Sequence, residues 1–163
     1  MPKRFVIHEH HASRLHWDLR LEIDGVLKSW AVPKGASLNP ADKRLAVAVP
    51  DHSVGYIDYE GRISDGSYGA GEVRIWDDGT FETATDPGKQ LENGKLVFTI
   101  FGLKLRGEFA LVKTRGHDSN WLLIKAKDDY ADPKWELKPV LTPRSRKPVN
   151  SAVASKKRTR KEA

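Results

Sequence analysis

The sequence contains no cysteine. That absence excludes disulfides, thiolate metal ligands and a cysteine nucleophile, and its simplest setting is a reducing, cytoplasmic one. No run comes near the ~18 apolar residues of a membrane span, and no signal-peptide pattern is present, so no membrane is expected as a partner. Also missing are a GxSxG elbow, the Lys-Ser/Thr of a P-loop and the GxGxxG spacing. The glycines of Asp65-Gly66-Ser67-Tyr68-Gly69-Ala70-Gly71 therefore read as a tight loop between strands. No stretch of a dozen residues holds a helical period, which leaves room for a short helix or two, one of them near Asn39–Lys43.

What is present supports one folded domain. A hydrophobic fraction of 39% with five tryptophans can fill a core in a chain of 163 residues. The charge is uneven. From Arg144 onward eight basic residues face Glu162 alone, a net +7, so against the whole-chain value of +6 the first 143 residues sum to −1. A specific site for a polyanion in the body must then be a local cluster, while the tail could hold nucleic acid through counterion release. The expected division is a domain over residues 1–140 and a disordered basic tail or linker over 141–163, where Pro, Ser, Lys, Arg and Ala replace large apolar residues.

Within the body, apolar residues recur at every second position. From Leu15 to Ile23 the odd positions are Leu, Trp, Leu, Leu and Ile, and the even ones include His16, Asp18, Arg20 and Glu22. Such alternation predicts a strand, and Asp24-Gly25 followed by Val26 to Val32 predicts a two-residue hairpin. Further strands are expected at Phe5–His8, Leu45–Val49, Gly71–Trp76, Lys95–Phe101, Lys104–Lys113 and Trp121–Lys125, with turns at Asp78-Gly79, Asn93-Gly94 and Gly116-His117-Asp118. Many short strands with regular turns predict an all-β chain closed, or partly closed, into a small antiparallel barrel.

Five of the six histidines, His8, His10, His11, His16 and His52, lie in the first 52 residues. Strand residues two apart share a face at ~6.5–7 Å, so His16 and Asp18 can converge on one ion with Arg20 next in line. A bend would bring His10 back as a third ligand. Two imidazoles and a carboxylate leave open positions for water and substrate and suit manganese, iron or zinc. The plainer account is a solvated polar face with a hydrogen-bonded His16–Asp18 couple. Lys34 and Arg44 are cations near strand ends, fit for phosphate oxygens or for nothing beyond surface charge. His52 and Tyr56 could donate protons or stabilise negative charge, or be an ordinary loop histidine and a half-buried strand aromatic. With no covalent nucleophile in evidence, activated water is the default attacker. On these residues three readings stay open: a phosphoesterase, a non-catalytic nucleic-acid-binding barrel, and a metal-dependent barrel enzyme for another anionic substrate.

Ordered blocks of sequence resemble one family, the 3′-phosphoesterase domain of bacterial DNA ligase D and its free-standing relatives. They are the run His10 to Glu22, which contains Arg14, then Leu27 to Gly35, Asp42 to Val47, and Asp51-His52 through Tyr56. Tyr59-Glu60-Gly61, Tyr68 to Gly71, Gly107 to Val112 and Asn120 to Lys125 follow in family order, so the likeness covers roughly residues 5 to 130. The resemblance implies a small β-barrel with a crescent-like groove. It implies trimming of DNA 3′ ends at strand breaks: a terminal ribonucleotide is removed by diester cleavage, the 3′-phosphate is then cleared, and a 3′-OH is left for ligation in non-homologous end joining. Carried over by position, His10, His16 and Asp18 would hold a metal, typically Mn2+, with Zn2+ or another divalent transition metal as alternatives. Arg20 and His52 would contact the scissile phosphate, with Tyr56, Arg14, Lys34 and Arg44 in support. A DNA ligase, a polymerase or a Ku-type end-joining protein would be partners, in the nucleoid. Two positions depart from the family: His8 stands where relatives often carry Gln, and Trp17 where Tyr is common. The chain also begins only a few residues before the motif, whereas ligase D versions have an upstream segment that assists catalysis. The expectation is therefore firmer for 3′-phosphate removal than for ribonucleotide removal.

Overall fold

Alternation along the chain resolves into nine strands among the described residues of a computed structural model, which are 2–64, 66 and 70–141. They are β1 (Lys3–His11), β2 (Leu15–Ile23), β3 (Val26–Val32), β4 (Lys43–Ser53), β5 (Gly61–Ile63), β6 (Gly71–Glu82), β7 (Lys95–Phe101), β8 (Arg106–Lys113) and β9 (Asn120–Lys125). Neighbours pair antiparallel in the order β1-β2-β3-β4-β9-β8-β7-β6-β5, and β1 also pairs with β6. Eight strands thus close into a barrel, with β5 added along the first residues of β6. Closure leaves those eight without a free edge. Residues 142–163 of the expected tail, and Asp65 and Ser67-Tyr68-Gly69 of the glycine loop, lie outside the described residues, whereas Leu141, placed in the tail by composition, is buried.

The core follows from the period of two. Trp17, Leu19, Leu21 and Ile23 of β2 point inward with Phe5 and Ile7 of β1, meeting Trp30, Phe98, Phe109 and Leu111 from other strands. The β2–β3 turn has Asp24 at φ 53° and Gly25 at φ 81°, the pair of left-handed residues that a tight hairpin needs. Even-numbered residues of β2 point to the outer wall. A second apolar cluster, Val6, Leu27, Ile57 and Ile75 with Tyr56 against it, builds up on that wall. Ile57 and Tyr56 arrive on a 3-10 turn, Val54–Asp58, which packs on β1, β3 and β4.

Two sequence expectations are corrected. The helix is at Pro87–Glu92 (α1), where Asp86 caps the amide of Lys89 at 3.2 Å and proline occupies the first turn. Residues 39–42 instead form a turn and Lys43 opens β4, because Ser37 and Asn39 side chains accept the amides of Asn39 and Ala41 and so compete with a helix. Asp78-Gly79 is no turn either. Both residues continue β6, because the Asp77 carboxylate accepts the amides of Leu103, Lys104 and Leu105 and ties that loop to the strand. Gly79 permits the approach: a Cβ there would sit 2.1 Å from the carbonyl oxygen of Phe101.

Beyond β9 the chain runs back across the barrel mouth. Trp135 donates from its indole to the Ala36 carbonyl, and Trp76 donates to that of Lys138. Further along the strap the amides of Val140 and Leu141 are both bound by the buried Glu9 carboxylate at 2.8 Å. Among the described residues no helix is long and apolar enough to cross a membrane.

Candidate metal and phosphate site

Register, rather than a bend, delivers the third histidine. Antiparallel pairing of β1 with β2 sets His10 opposite His16, His8 opposite Asp18 and Val6 opposite Arg20, and β3 sets Ala31 beside Asp18 and Ser29 beside Arg20. Directly opposed residues share a face. The face is not solvated: His10 is 7% exposed, Asp18 and Arg20 5% each, and His8 not at all.

The three candidate ligands converge. His10 Nδ1 lies 3.2 Å from His16 Nε2 and 3.6 Å from Asp18 Oδ2, and His16 Nε2 lies 3.3 Å from Asp18 Oδ1. Ligands bound at ~2.1 Å in a tetrahedron sit ~3.4 Å apart, so this spacing fits one ion. The other ring nitrogens fix the tautomers. His10 Nε2–H donates to the Ala70 carbonyl and His16 Nδ1–H to that of Arg14, both at 3.1 Å, so a neutral ring turns a lone pair toward Asp18 and a ring carrying a second proton donates it there. Burial alone would raise the Asp18 pKa. Hydrogen bonds from the two histidines and the charge of Arg20 outweigh it and hold the carboxyl well below the usual range. Burial opposes the positive form of His16, but Asp18 prevails and raises that pKa.

Arg20 is held on several sides. Its Nη2 contacts Asp18 Oδ2 at 3.3 Å, Nη1 donates to Ser29 Oγ at 2.8 Å, and Nε donates to His8 Nδ1 at 3.1 Å. The Tyr56 ring lies over the guanidinium, 5.0 Å from its centroid. Tyr56 in turn stacks on His52 at 4.3 Å and on Tyr59 at 4.9 Å. Burial pushes the Tyr56 hydroxyl up to about 12, so it remains a donor at neutral pH. Burial, and then Arg20, lower the His52 pKa. The same two causes push His8 down to about 3.

These groups line a cavity of about 360 Å³, polar where His10, His16, Asp18, Arg20, His52 and Tyr56 meet and apolar along Ala12, Ala31, Val49, Pro50 and Ile63. Lys34 and Arg44 line a separate depression with Asp42, which pairs with Arg44 at 3.4 Å. The Arg14 side chain is exposed, and only its carbonyl enters the site. Sequence reasoning passed over Ser29 and the role of His8. The parity of Val6, His8 and His10 on one strand was the available signal for the latter.

The family model for the DNA ligase D 3′-phosphoesterase domain matches residues 8–113. The multifunctional non-homologous end joining protein LigD of Pseudomonas aeruginosa is 54% identical over 130 residues, 78% of this chain and 16% of that protein. Its namesake in Mycolicibacterium smegmatis is 47% identical over 131 residues, 77% of this chain and 17% of the relative. The multifunctional non-homologous end joining DNA repair protein LigD of Mycobacterium tuberculosis is 44% identical over 127 residues, 76% and 16% respectively. The match thus spans about a sixth of the length of these curated relatives.

Proposed function

The chain belongs to the 3′-phosphoesterase domain family of DNA ligase D, and from that premise we propose that it is a divalent-metal-dependent hydrolase of DNA 3′ ends. In this reading it removes a 3′-phosphate, and a 3′-terminal ribonucleotide before it, to leave a 3′-OH for a ligase, polymerase or Ku-type partner in end joining. The observation that carries the proposal is the convergence of His10, His16 and Asp18 beside the buried Arg20 in one cavity.

Each residue then has a task set by its surroundings. His10, His16 and Asp18 would hold the ion, Mn2+ or else Zn2+ or another divalent transition metal. When bound it neutralises phosphoryl oxygens and lowers the pKa of a water. Arg20, fixed in orientation, binds the same oxygens. His52, neutral at pH 7 because its pKa is lowered, donates a ring N–H to charge developing on the phosphate or leaving oxygen. Tyr56 keeps its proton and supports that donor. The apolar side of the cavity accommodates the terminal sugar. Lys34, Arg44 and Arg14 bind flanking phosphates outside the cavity.

A primer-template bearing a 3′-phosphate or a single 3′-ribonucleotide, incubated with manganese or with EDTA, tests the reading. A 3′-OH product that EDTA abolishes is expected. DNA binding without product in manganese, zinc or cobalt would overturn it in favour of a non-catalytic barrel.

A further inference from the structure

One buried histidine has no task in the scheme above. His8 has no exposed surface and stands opposite Asp18 across the hairpin, and its Nδ1 accepts the Nε–H of Arg20 at 3.1 Å. Nδ1 can accept only if the ring proton is on Nε2. Among the described residues that Nε2 meets no acceptor in good hydrogen-bond geometry, although the Tyr59 backbone lies near enough to favour a proton there. A buried donor so poorly matched is unfavourable, so this orientation is retained against its own cost, and what it supplies is the acceptor at Arg20. The His8 ring also meets the Tyr56 ring edge-on at 5.1 Å, and Tyr56 covers the guanidinium.

A guanidinium is a rigid planar fork, so the groups that grip its edges set the direction of the whole plane. Ser29 and Asp18 take the two Nη atoms on one side. Both meet the fork at its far end, Ser29 with its hydroxyl also bound to the Leu27 carbonyl. The Nε–H is the donor nearest the stem, and an acceptor there stops the fork from swinging about the side-chain axis. We propose that His8 is the positioning residue for Arg20, its Nδ1 fixing the plane in which the guanidinium meets the phosphoryl oxygens. This rests on the phosphoesterase reading for its consequence in catalysis, though not for the contact itself. His8 is sealed from the cavity and does not touch substrate.

Two substitutions in the full chain separate the acceptor from the ring. His8→Phe keeps the ring and its edge on Tyr56 but removes the acceptor. His8→Asn discards the ring and places a carbonyl oxygen near the position of Nδ1. The first measurement is hydrogen exchange of the Arg20 Nε–H by 15N NMR on metal-free protein, its resonance identified by loss in Arg20→Lys. The second is steady-state turnover of a 3′-phosphate primer-template with manganese. Slow exchange is expected in the wild type and His8→Asn, and fast exchange in His8→Phe. With it, kcat should fall ~10–100-fold in His8→Phe with KM little changed, the range typical of lost orienting partners at metal sites, and His8→Asn should retain turnover. Protected exchange or wild-type kcat in His8→Phe would overturn the proposal, as would a loss carried by KM. If His8→Phe does not fold, His8→Asn decides alone: a protected Nε–H with turnover supports the proposal, and loss of both refutes it. If the wild type makes no 3′-OH at all, the phosphoesterase reading fails, while exchange still decides the His8–Arg20 pairing.

Discussion

His10 and His16 face each other across β1 and β2 with Nδ1 of one 3.2 Å from Nε2 of the other, and each ring donates its remaining N–H to a backbone carbonyl. Two lone pairs directed at one point beside a carboxylate call for a cation. Manganese is accordingly expected to raise the Tm of the protein, by an amount that at 100 times Kd corresponds to about 2.7 kcal/mol. Asp18→Asn should abolish the rise and lower turnover by orders of magnitude. An unchanged manganese shift in Asp18→Asn, read by calorimetry, would remove Asp18 from the ligand set.

Proton and metal compete for His16. Its pKa is raised in the metal-free fold, since Asp18 overcomes the effect of burial, so the competing proton persists above the ordinary imidazole value. Manganese affinity should therefore fall as pH drops through that raised value. Titration calorimetry at pH 8 and pH 6 measures this directly, with proton release on binding at the lower pH. Without metal the sign reverses. The His16–Asp18 couple then contributes stability in full below the unfolded imidazole value of about 6.5, and that part is lost as pH rises through the folded value.

His8 has the opposite linkage. Burial, and then Arg20, lower its pKa to about 3, so between about 6.5 and 3 the unfolded chain binds a proton that the folded chain refuses. Stability should fall on acidification through that window by up to ~1.4 kcal/mol per pH unit from this group. His52, also lowered, acts in the same direction, whereas the His16 contribution is already complete below about 6.5 and adds no slope there. The informative quantity is therefore the difference between wild type and His8→Phe in urea denaturation at pH 7, 6 and 5. The variant should show the shallower decline.

Much of this arrangement was legible in the sequence because a strand keeps parity. The bounds of β2, β3 and β7 are those the alternation predicted, and His16, Asp18 and Arg20 share a face for the same reason. His10 was harder. Its place depends on cross-strand register, which spacing along one strand does not contain. Burial of the polar face was invisible locally, since its cover is the turn at Val54–Asp58, far away in sequence. His52 and Tyr56 were singled out through family likeness, and only the fold gives the stacked rings that join them to Arg20. The Asp78-Gly79 reading failed because a tertiary contact, the Asp77 carboxylate on a distant loop, overrides turn propensity.

Glu9 offers a test of the barrel mouth. This fully buried carboxylate binds His11 at 2.7 Å, the Trp17 indole at 3.1 Å and the amides of Val140 and Leu141 at 2.8 Å. Glu9→Ala would leave those donors facing an apolar gap, and a loss of ~3–5 kcal/mol is expected, as for other broken buried pairs. Amide exchange at Val140 and Leu141 should quicken well beyond the global loss of stability. If those two amides exchange as in the wild type, the strap is held by Trp135 and Leu137 rather than by Glu9.

The chain from Arg144 onward carries a net +7 and follows directly on this strap. Since the remaining residues sum to −1, the long-range attraction for DNA must come mostly from the tail. Each phosphate that it neutralises contributes about −0.9 to the slope of log K against log salt on duplex DNA. Removing residues after Pro143 should therefore weaken DNA binding at low salt and flatten that slope. Turnover at saturating DNA should persist, because no residue of the cavity is removed. Fluorescence anisotropy between 50 and 200 mM salt, range chosen where such slopes are steep, provides the comparison. An unchanged slope would assign DNA capture to the cavity and to the separate Lys34–Arg44 depression.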